Sequence, residues 1–304
     1  MRIKKRDTDY VKLVDRHMEA AHYGWIPNTY VYKLDSDSNW FPDPRMSVVP
    51  VIGNNPMDTL GDEGMVAFGG DLSMSRLLTA YKYGFFPWGT ADNPERQWHC
   101  PLMRFVLFPE EVHISHSMRT LLNKDKYYAT FNRNFESVIR NCSEVDGRNK
   151  EAGYWLGDDH IEAYAALHKI GAAASVEIWE KGRPEEAGPV GGLYGVISGN
   201  SFIGESMFSL VPSGSKMALI ALCGYMKGKG GLIDLQIHTP HLESMGGRYI
   251  TYSDYIRIVN PEAYAENLSL RYHPCFTFGE REAILDQPSI FRIDPTLHLI
   301  PIGE

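Results

Sequence analysis

Three polar side chains, two carboxylates and an amide able to hydrogen-bond a reacting group, sit on two segments otherwise built for a core. In "SFIGESMFS" (201–209), a carboxylate, Glu205, stands on the same face of a strand pattern as Ile203 and Met207. In "LIDLQI" (232–237), Asp234 and Gln236 share one face while Ile233, Leu235 and Ile237 share the other. Acid and amide groups among hydrophobes need partners, because unpaired buried carboxylates are costly and such groups collect at functional sites. A polar network that fixes sheet register would account for any one of the three. Three together, on strands that bracket one helix, favour chemistry: a carboxylate beside an apolar pocket can grip a cationic or hydroxyl group.

The intervening helix carries Leu219, Leu222 and Met226 at i, i+3 and i+7. Core packing is the usual meaning of such a stripe, but beside a polar cluster it could wall an apolar substrate pocket. The aromatic run "GFFPWG" (84–89), Trp98 in "RQWHCP" and Trp155 in "GYWLG" offer flat surfaces for stacking on a base or an aromatic ring. Lys124, Lys126, Arg133 and Arg140, with Arg119 nearby, form a modest basic cluster whose plainest reading is solvated surface charge. His238 and His241, three apart, are a weak metal pair better explained by capping or surface roles. Neither a phosphate-binding G-x-x-x-x-G-K-[ST] loop, a G-x-G-x-x-G turn nor a G-x-S-x-G elbow occurs.

The elements that must position these groups follow from periodicity. The 304 residues suffice for about two domains, and 43% hydrophobic with 22% charged residues describes an ordinary globular chain. Residues 1–45 read as an N-terminal extension, 46–110 as a small N-terminal domain, 111–260 as a second domain of alternating elements and 261–304 as a tail. "DLSMSRLLTAYKYG" predicts a helix capped by Asp71 or Ser73 and stopped at Gly84. "DDHIEAYAALHKIG" predicts another, capped by Asp159 and closed by Gly171. "ASVEIW", "VGGLYGVIS" and the strand of Glu205 follow, then the Met217–Met226 helix and "LIDLQI". This order predicts an α/β (α+β) fold with a mixed sheet and helices against it. The net charge of −8 argues against coating duplex nucleic acid by charge alone. Four scattered cysteines without a C-x-x-C argue against a disulfide framework or zinc site and for a reducing cytoplasm. No apolar run approaches a membrane span, and "MRIKKRDTDYVKL" has no apolar core of a secretory signal behind it.

The combination of "GGDLSMSRLLTAYKYGFFPW" (69–88), "WHCPLMRFVLFPEEVHISHSM" (98–118), "VGGLYGV", "GESMFS" with "SKMALIALC", and "LIDLQI" resembles the leucyl/phenylalanyl-tRNA–protein transferase family over roughly residues 60–257. The resemblance implies a small N-terminal domain before an acetyltransferase-like (GNAT) domain. It implies transfer of leucine, phenylalanine or methionine from aminoacyl-tRNA to proteins with N-terminal Arg or Lys, creating a degradation signal. It also implies no cofactor, no metal, no membrane and a monomer. On this resemblance Glu205, Asp234 and Gln236 are the catalytic centre, with Asp234 orienting Gln236 toward the attacking amine. Leu193, Leu219, Leu222 and Met226 would line the aminoacyl pocket. Trp98 and Trp155 would meet the terminal adenosine and aminoacyl group, and Arg119, Lys124 and Lys126 the acceptor stem. Aromatics are frequent in the family where this chain has Leu222 and Met226. The alternatives are another aminoacyl-tRNA-dependent transferase of the same type of fold, or a non-catalytic tRNA- or peptide-binding module. Acetyl-CoA chemistry lacks its Gly-rich turn at "LVPSGSKMAL".

Overall fold

The structure, a computed structural model, describes residues 10–13, 30–34, 41, 64–90, 93–101, 103–148, 156–265, 290–297 and 299–301. The helices used below are α1 (Met74–Lys82), α2 (His116–Asn123), α3 (Phe135–Arg148), α4 (Asp158–Lys169), α5 (Gly214–Met226), α6 (Pro240–Glu243) and α7 (Tyr252–Val259). The chain divides into two compact units, Met1–Arg104 with Ile250–Thr277, and Phe105–Tyr249 with Phe278–Glu304.

The first unit holds a five-stranded sheet in the order β1-β2-β3-β5-β4. Its strands are β1 (Tyr10–Leu13), β2 (Tyr30–Leu34), β3 (Met65–Gly69), β4 (Phe86–Thr90) and β5 (Asn93–His99). Helix α1 buries Leu77, Ala80 and Tyr81, together with the side chain of Arg76. Ser73 holds the N-cap position without a side-chain cap bond; the Asp71 carboxylate instead accepts from the Ser73 N–H at 3.1 Å and from Arg76 Nε at 3.0 Å. Helix α7 belongs here too, with the Tyr252 hydroxyl donating to the Tyr83 carbonyl at 2.9 Å. The Arg104 guanidinium lies over the rings of Phe86, at 4.6 Å, and Tyr255, at 4.8 Å.

The second sheet has nine strands: β6 (Met103–Leu107), β7 (Tyr127–Phe131), β8 (Ala173–Glu180), β9 (Gly191–Ser198), β10 (Ser201–Ser209), β11 (Ile233–Asp234), β12 (Arg248–Thr251), β13 (Phe291–Ile293) and β14 (Leu299–Pro301). Their order is β12-β6-β11-β10-β9-β8-β7-β13-β14. Strands β7 to β10 are antiparallel neighbours, and β11 joins β10 in parallel after the α5 crossover. The mixed α/β fold expected from the sequence is therefore present. Helix α4 begins at Asp158, one residue before the expected cap, with Gly157 at the N-cap and two aspartates in the first turn facing the helix dipole. The segment after 260, which reads as a tail, contributes β13 and β14 at the sheet edge, with β13 pairing to β7.

The two faces of this sheet carry different chemistry. Val176, Ile178, Leu193 and Phe202 form one core with Leu219, Leu222 and Met226 of α5. Strand β9 and the start of α5 meet backbone to backbone: a Cβ on Gly191 would lie 2.7 Å from the Gly214 Cα. A side chain at either position would push the helix off the sheet. The opposite face holds Phe135, Tyr164 and Tyr194, whose rings meet edge to face at 5.8 Å.

On that second face a buried carboxylate, Glu177, fixes the turn between β7 and α3. It accepts from the Ser175 and Thr130 hydroxyls, both at 2.5 Å, and from the backbone N–H groups of Arg133 and Asn134, both at 3.3 Å. Burial pushes its carboxyl above the ordinary value, and the four donors pull only part of the way back. In that range the folded protein binds a proton more readily than the unfolded chain, so the stability contributed by Glu177 falls as pH rises through the raised folded value. Glu177→Gln, whose NH₂ must face donors, is expected to cost about 1–3 kcal/mol. Urea denaturation across pH should show the gap from wild type narrowing as pH climbs; a pH-independent gap would refute the linkage.

Candidate functional site

Glu205 owes its position to a register break. Strand β10 pairs with β9 regularly from Ser201↔Ser198 to Gly204↔Gly195, and resumes at Ser206↔Tyr194. Glu205 is therefore the extra residue of a β-bulge, a device that re-aims a side chain. Simple alternation puts Ser206 and Phe208 with Phe202, and Met207 with Ile203. The bulge exchanges them: Met207 pairs with Leu193 on the α5 side, and Phe208 approaches Val138 of α3 across Gly192. Gly195, opposite the bulge, admits no Cβ without striking the Ile203 carbonyl.

The second break is in "LIDLQI". Only Ile233 and Asp234 are strand, and Gln236 has a φ of +59°. The uninterrupted strand expected through residue 237 is thus corrected to a two-residue strand followed by a left-handed turn. For a non-glycine residue that conformation costs about 1–2 kcal/mol. The fully buried Asp234 holds the turn, its Oδ1 accepting from the Gln236 N–H at 2.8 Å. Gln236 then swings its side chain back to β10, where Nε2 donates to Glu205 Oε1 at 3.0 Å. An ionised carboxylate only accepts, so the amide must present its NH₂ to Glu205. The Gln236 carbonyl oxygen is thereby turned to the other side, as a fixed acceptor.

The other Glu205 oxygen, Oε2, accepts from the hydroxyl of Tyr164 on α4 at 3.2 Å. Glu205 is 8% exposed and Tyr164 fully buried, so this carboxylate is clamped between two donors on different elements. Sequence reasoning missed Tyr164. The signal was there: it lies between Ile161 and Leu167 on the buried stripe of α4, where a phenol needs an acceptor.

The other residues separate into groups. Leu193, Leu219, Leu222 and Met226 come together, all at most 5% exposed, within the α5 core. The carboxylate of Glu205 points to Tyr164, across the sheet from that core. Trp98 is wholly buried in the first unit, its indole N–H donating to the Gly69 carbonyl at 3.0 Å and its ring edge-on to Phe41 at 5.0 Å. Trp88, from the aromatic run, is half-buried, with His99 at 5.4 Å. Trp155 lies outside the described residues. Arg119 donates to the carbonyls of Ile114 and Pro295, Lys126 pairs with Glu180 at 2.7 Å, and Lys124 is exposed. His238 bonds Glu243 at 3.0 Å, in keeping with a surface role rather than a metal pair with His241. No helix among the described residues is long and apolar enough to cross a membrane.

Comparison with known proteins places the chain in a family. Residues 106–260 match the family leucyl/phenylalanyl-tRNA protein transferase, and residues 70–102 match its N-terminal domain. A leucyl/phenylalanyl-tRNA–protein transferase of Flavobacterium johnsoniae is 44% identical over 205 residues, 67% of this chain and 93% of the relative. One from Syntrophus aciditrophicus is 42% identical over 205 residues, covering 67% and 83% of the two chains. One from Shigella dysenteriae is 43% identical over 198 residues, covering 65% and 80%.

Proposed function

Since the chain belongs to the leucyl/phenylalanyl-tRNA–protein transferase family, we propose that this aminoacyltransferase moves leucine, phenylalanine or methionine from aminoacyl-tRNA to the α-amine of a protein with N-terminal Arg or Lys. The new N-terminal residue would mark the acceptor for degradation. The reading implies a monomer working in the cytoplasm, where aminoacyl-tRNA is made. The donor ester is already activated, so the reaction balances without ATP or another cofactor. The amine nitrogen bonds to the ester carbonyl carbon, the bond to the ribose oxygen breaks, and the departing oxygen or a water takes the amine proton. Holding amine and ester in line can supply about 7–11 kcal/mol of the barrier reduction.

The observation that carries the reading is the Gln236 Nε2 to Glu205 Oε1 bond of 3.0 Å. It fixes the Gln236 carbonyl oxygen to accept from the attacking amine. An amide oxygen is too weak a base to keep that proton, so Gln236 positions the amine rather than deprotonating it. Asp234 acts through Gln236, holding the turn. Glu205 would grip the amino or ribose end of the donor's aminoacyl-adenosine. The donor side chain would not lie against Leu193, Leu219, Leu222 and Met226, which are closed within the α5 core across the sheet from the Glu205 carboxylate.

The test is to incubate the full chain with labelled leucyl-tRNA and a peptide beginning with Arg. Label should pass to the peptide, and should not pass to the same peptide with an acetylated N-terminus. Binding of tRNA without transfer would replace this reading with a non-catalytic module.

A further inference from the structure

We infer that the C-terminal strand β13, outside the residues that match the family, completes a phosphate-binding edge for the stem of the tRNA donor, with Arg292 as its contact; this rests on the aminoacyl-tRNA reading above. The edge is assembled by topology. Pairing of β13 with β7 places Arg292 opposite Tyr128, beside the turn that carries Lys124, Asp125 and Lys126. Strand β8 brings Lys181 to the same place, its N–H donating to the Lys126 carbonyl at 2.9 Å. Arg119 reaches the segment from α2, donating to the Pro295 carbonyl at 3.2 Å.

Among the described residues, five cations, Arg119, Lys124, Lys126, Lys181 and Arg292, thus meet three carboxylates, Asp125, Glu180 and Asp294. In a chain of net charge −8 this local excess of positive charge is the reverse of the whole. Asp125 sits at its middle, with Lys181 at 2.7 Å and Arg292 Nε at 3.5 Å. These pairs do not lock the cations away. Lys181, Arg292 and Asp125 side chains are each about two-fifths exposed, and surface pairs of this kind contribute little to stability. A phosphodiester backbone can therefore draw Lys181 and Arg292 outward while Asp125 sets their spacing. Phosphate contacts position a nucleic acid without reading its sequence, which suits an enzyme that accepts more than one tRNA.

The experiment measures binding of deacylated leucine tRNA by fluorescence anisotropy across a salt series, with Arg292→Gln and Asp125→Asn. Arg292→Gln should weaken binding about three- to tenfold and reduce the slope of log affinity against log salt by about 1. Asp125→Asn removes a repelling charge and should tighten binding, a direction that misfolding cannot produce; Asn tolerates the left-handed φ of +52° found there. Transfer from leucyl-adenosine, which has no stem to meet Arg292, serves as the reference. If both variants bind tRNA as wild type does, with unchanged salt slope, this inference is overturned while the transferase reading stands. If wild type uses neither leucyl-tRNA nor leucyl-adenosine, the transferase reading itself has failed and the inference falls with it.

Discussion

Gln236→Gly and Gln236→Ala are expected to lose at least 100-fold in kcat/KM for transfer to an Arg-peptide, equally, while differing in stability. The loss of activity is that of the fixed acceptor for the amine, about 2.7 kcal/mol or more of transition-state stabilisation. The difference in stability comes from the backbone. At a φ of +59° any L side chain is strained, and glycine is not. Both variants forfeit the amide–carboxylate bond to Glu205, so that cost cancels between them. Glycine relieves about 1–2 kcal/mol of strain in the folded state and gives back about 0.4–1 kcal/mol through its freer unfolded chain. Gln236→Gly should therefore be the more stable variant, by up to about 1.6 kcal/mol in urea denaturation. Such a result would say that the strain is kept for chemistry rather than for folding. Should the glycine variant retain transfer within threefold of wild type, Gln236 is not the positioning group.

How much of this was legible beforehand depends on the residue. The three polar groups stood out because acids and amides on apolar strands need partners, and the structure does join Glu205, Asp234 and Gln236 through hydrogen bonds. Their geometry was not legible, since both segments depart from regular strand where they matter. Period-2 alternation assumes an unbroken ladder; the bulge at Glu205 and the turn at Gln236 each break it, and neither carries a proline or an Asn-Gly signal. Tyr164 was hidden among core residues because an aromatic ring on a helix stripe looks like packing until its hydroxyl is followed. Trp98 shows the opposite error. The sequence offers its ring as a flat stacking surface, yet β5 places it between β3 and β4, with its N–H bound to the Gly69 carbonyl. Glu177, within "ASVEIW", was read only as part of a strand, and its four donors come from β7, β8 and the turn before α3, a convergence that local sequence does not encode.

Glu205→Ala should bring a loss of the same order as Gln236→Ala, and two companion variants tell why. Alanine lets the Gln236 amide rotate and removes the acceptor of the Tyr164 hydroxyl, so fixed orientation and charge disappear together. Glu205→Gln separates them. Its carbonyl oxygen can still accept from Gln236, and its NH₂ can donate to the Tyr164 oxygen, since a phenol accepts as well as donates. The clamp survives with little change in thermal midpoint, but the negative charge is gone. If Glu205 grips the donor's cationic amino group, kcat/KM for leucyl-tRNA should fall about 10- to 100-fold in this variant, most of it in KM, because a hydrogen bond to a charged group is about twice as strong as a neutral one. Tyr164→Phe supplies the converse: charge kept, one anchor removed, and a smaller loss concentrated in kcat as the carboxylate and the amide it holds become less well aligned. Combining Glu205→Gln with Tyr164→Phe should cost more than the sum of the two in log units, since the introduced amide and that of Gln236 could then rotate together to present the wrong atom to the amine. Wild-type kinetics in Glu205→Gln would mean that the carboxylate serves only to aim Gln236, and that the donor's amino group is held elsewhere.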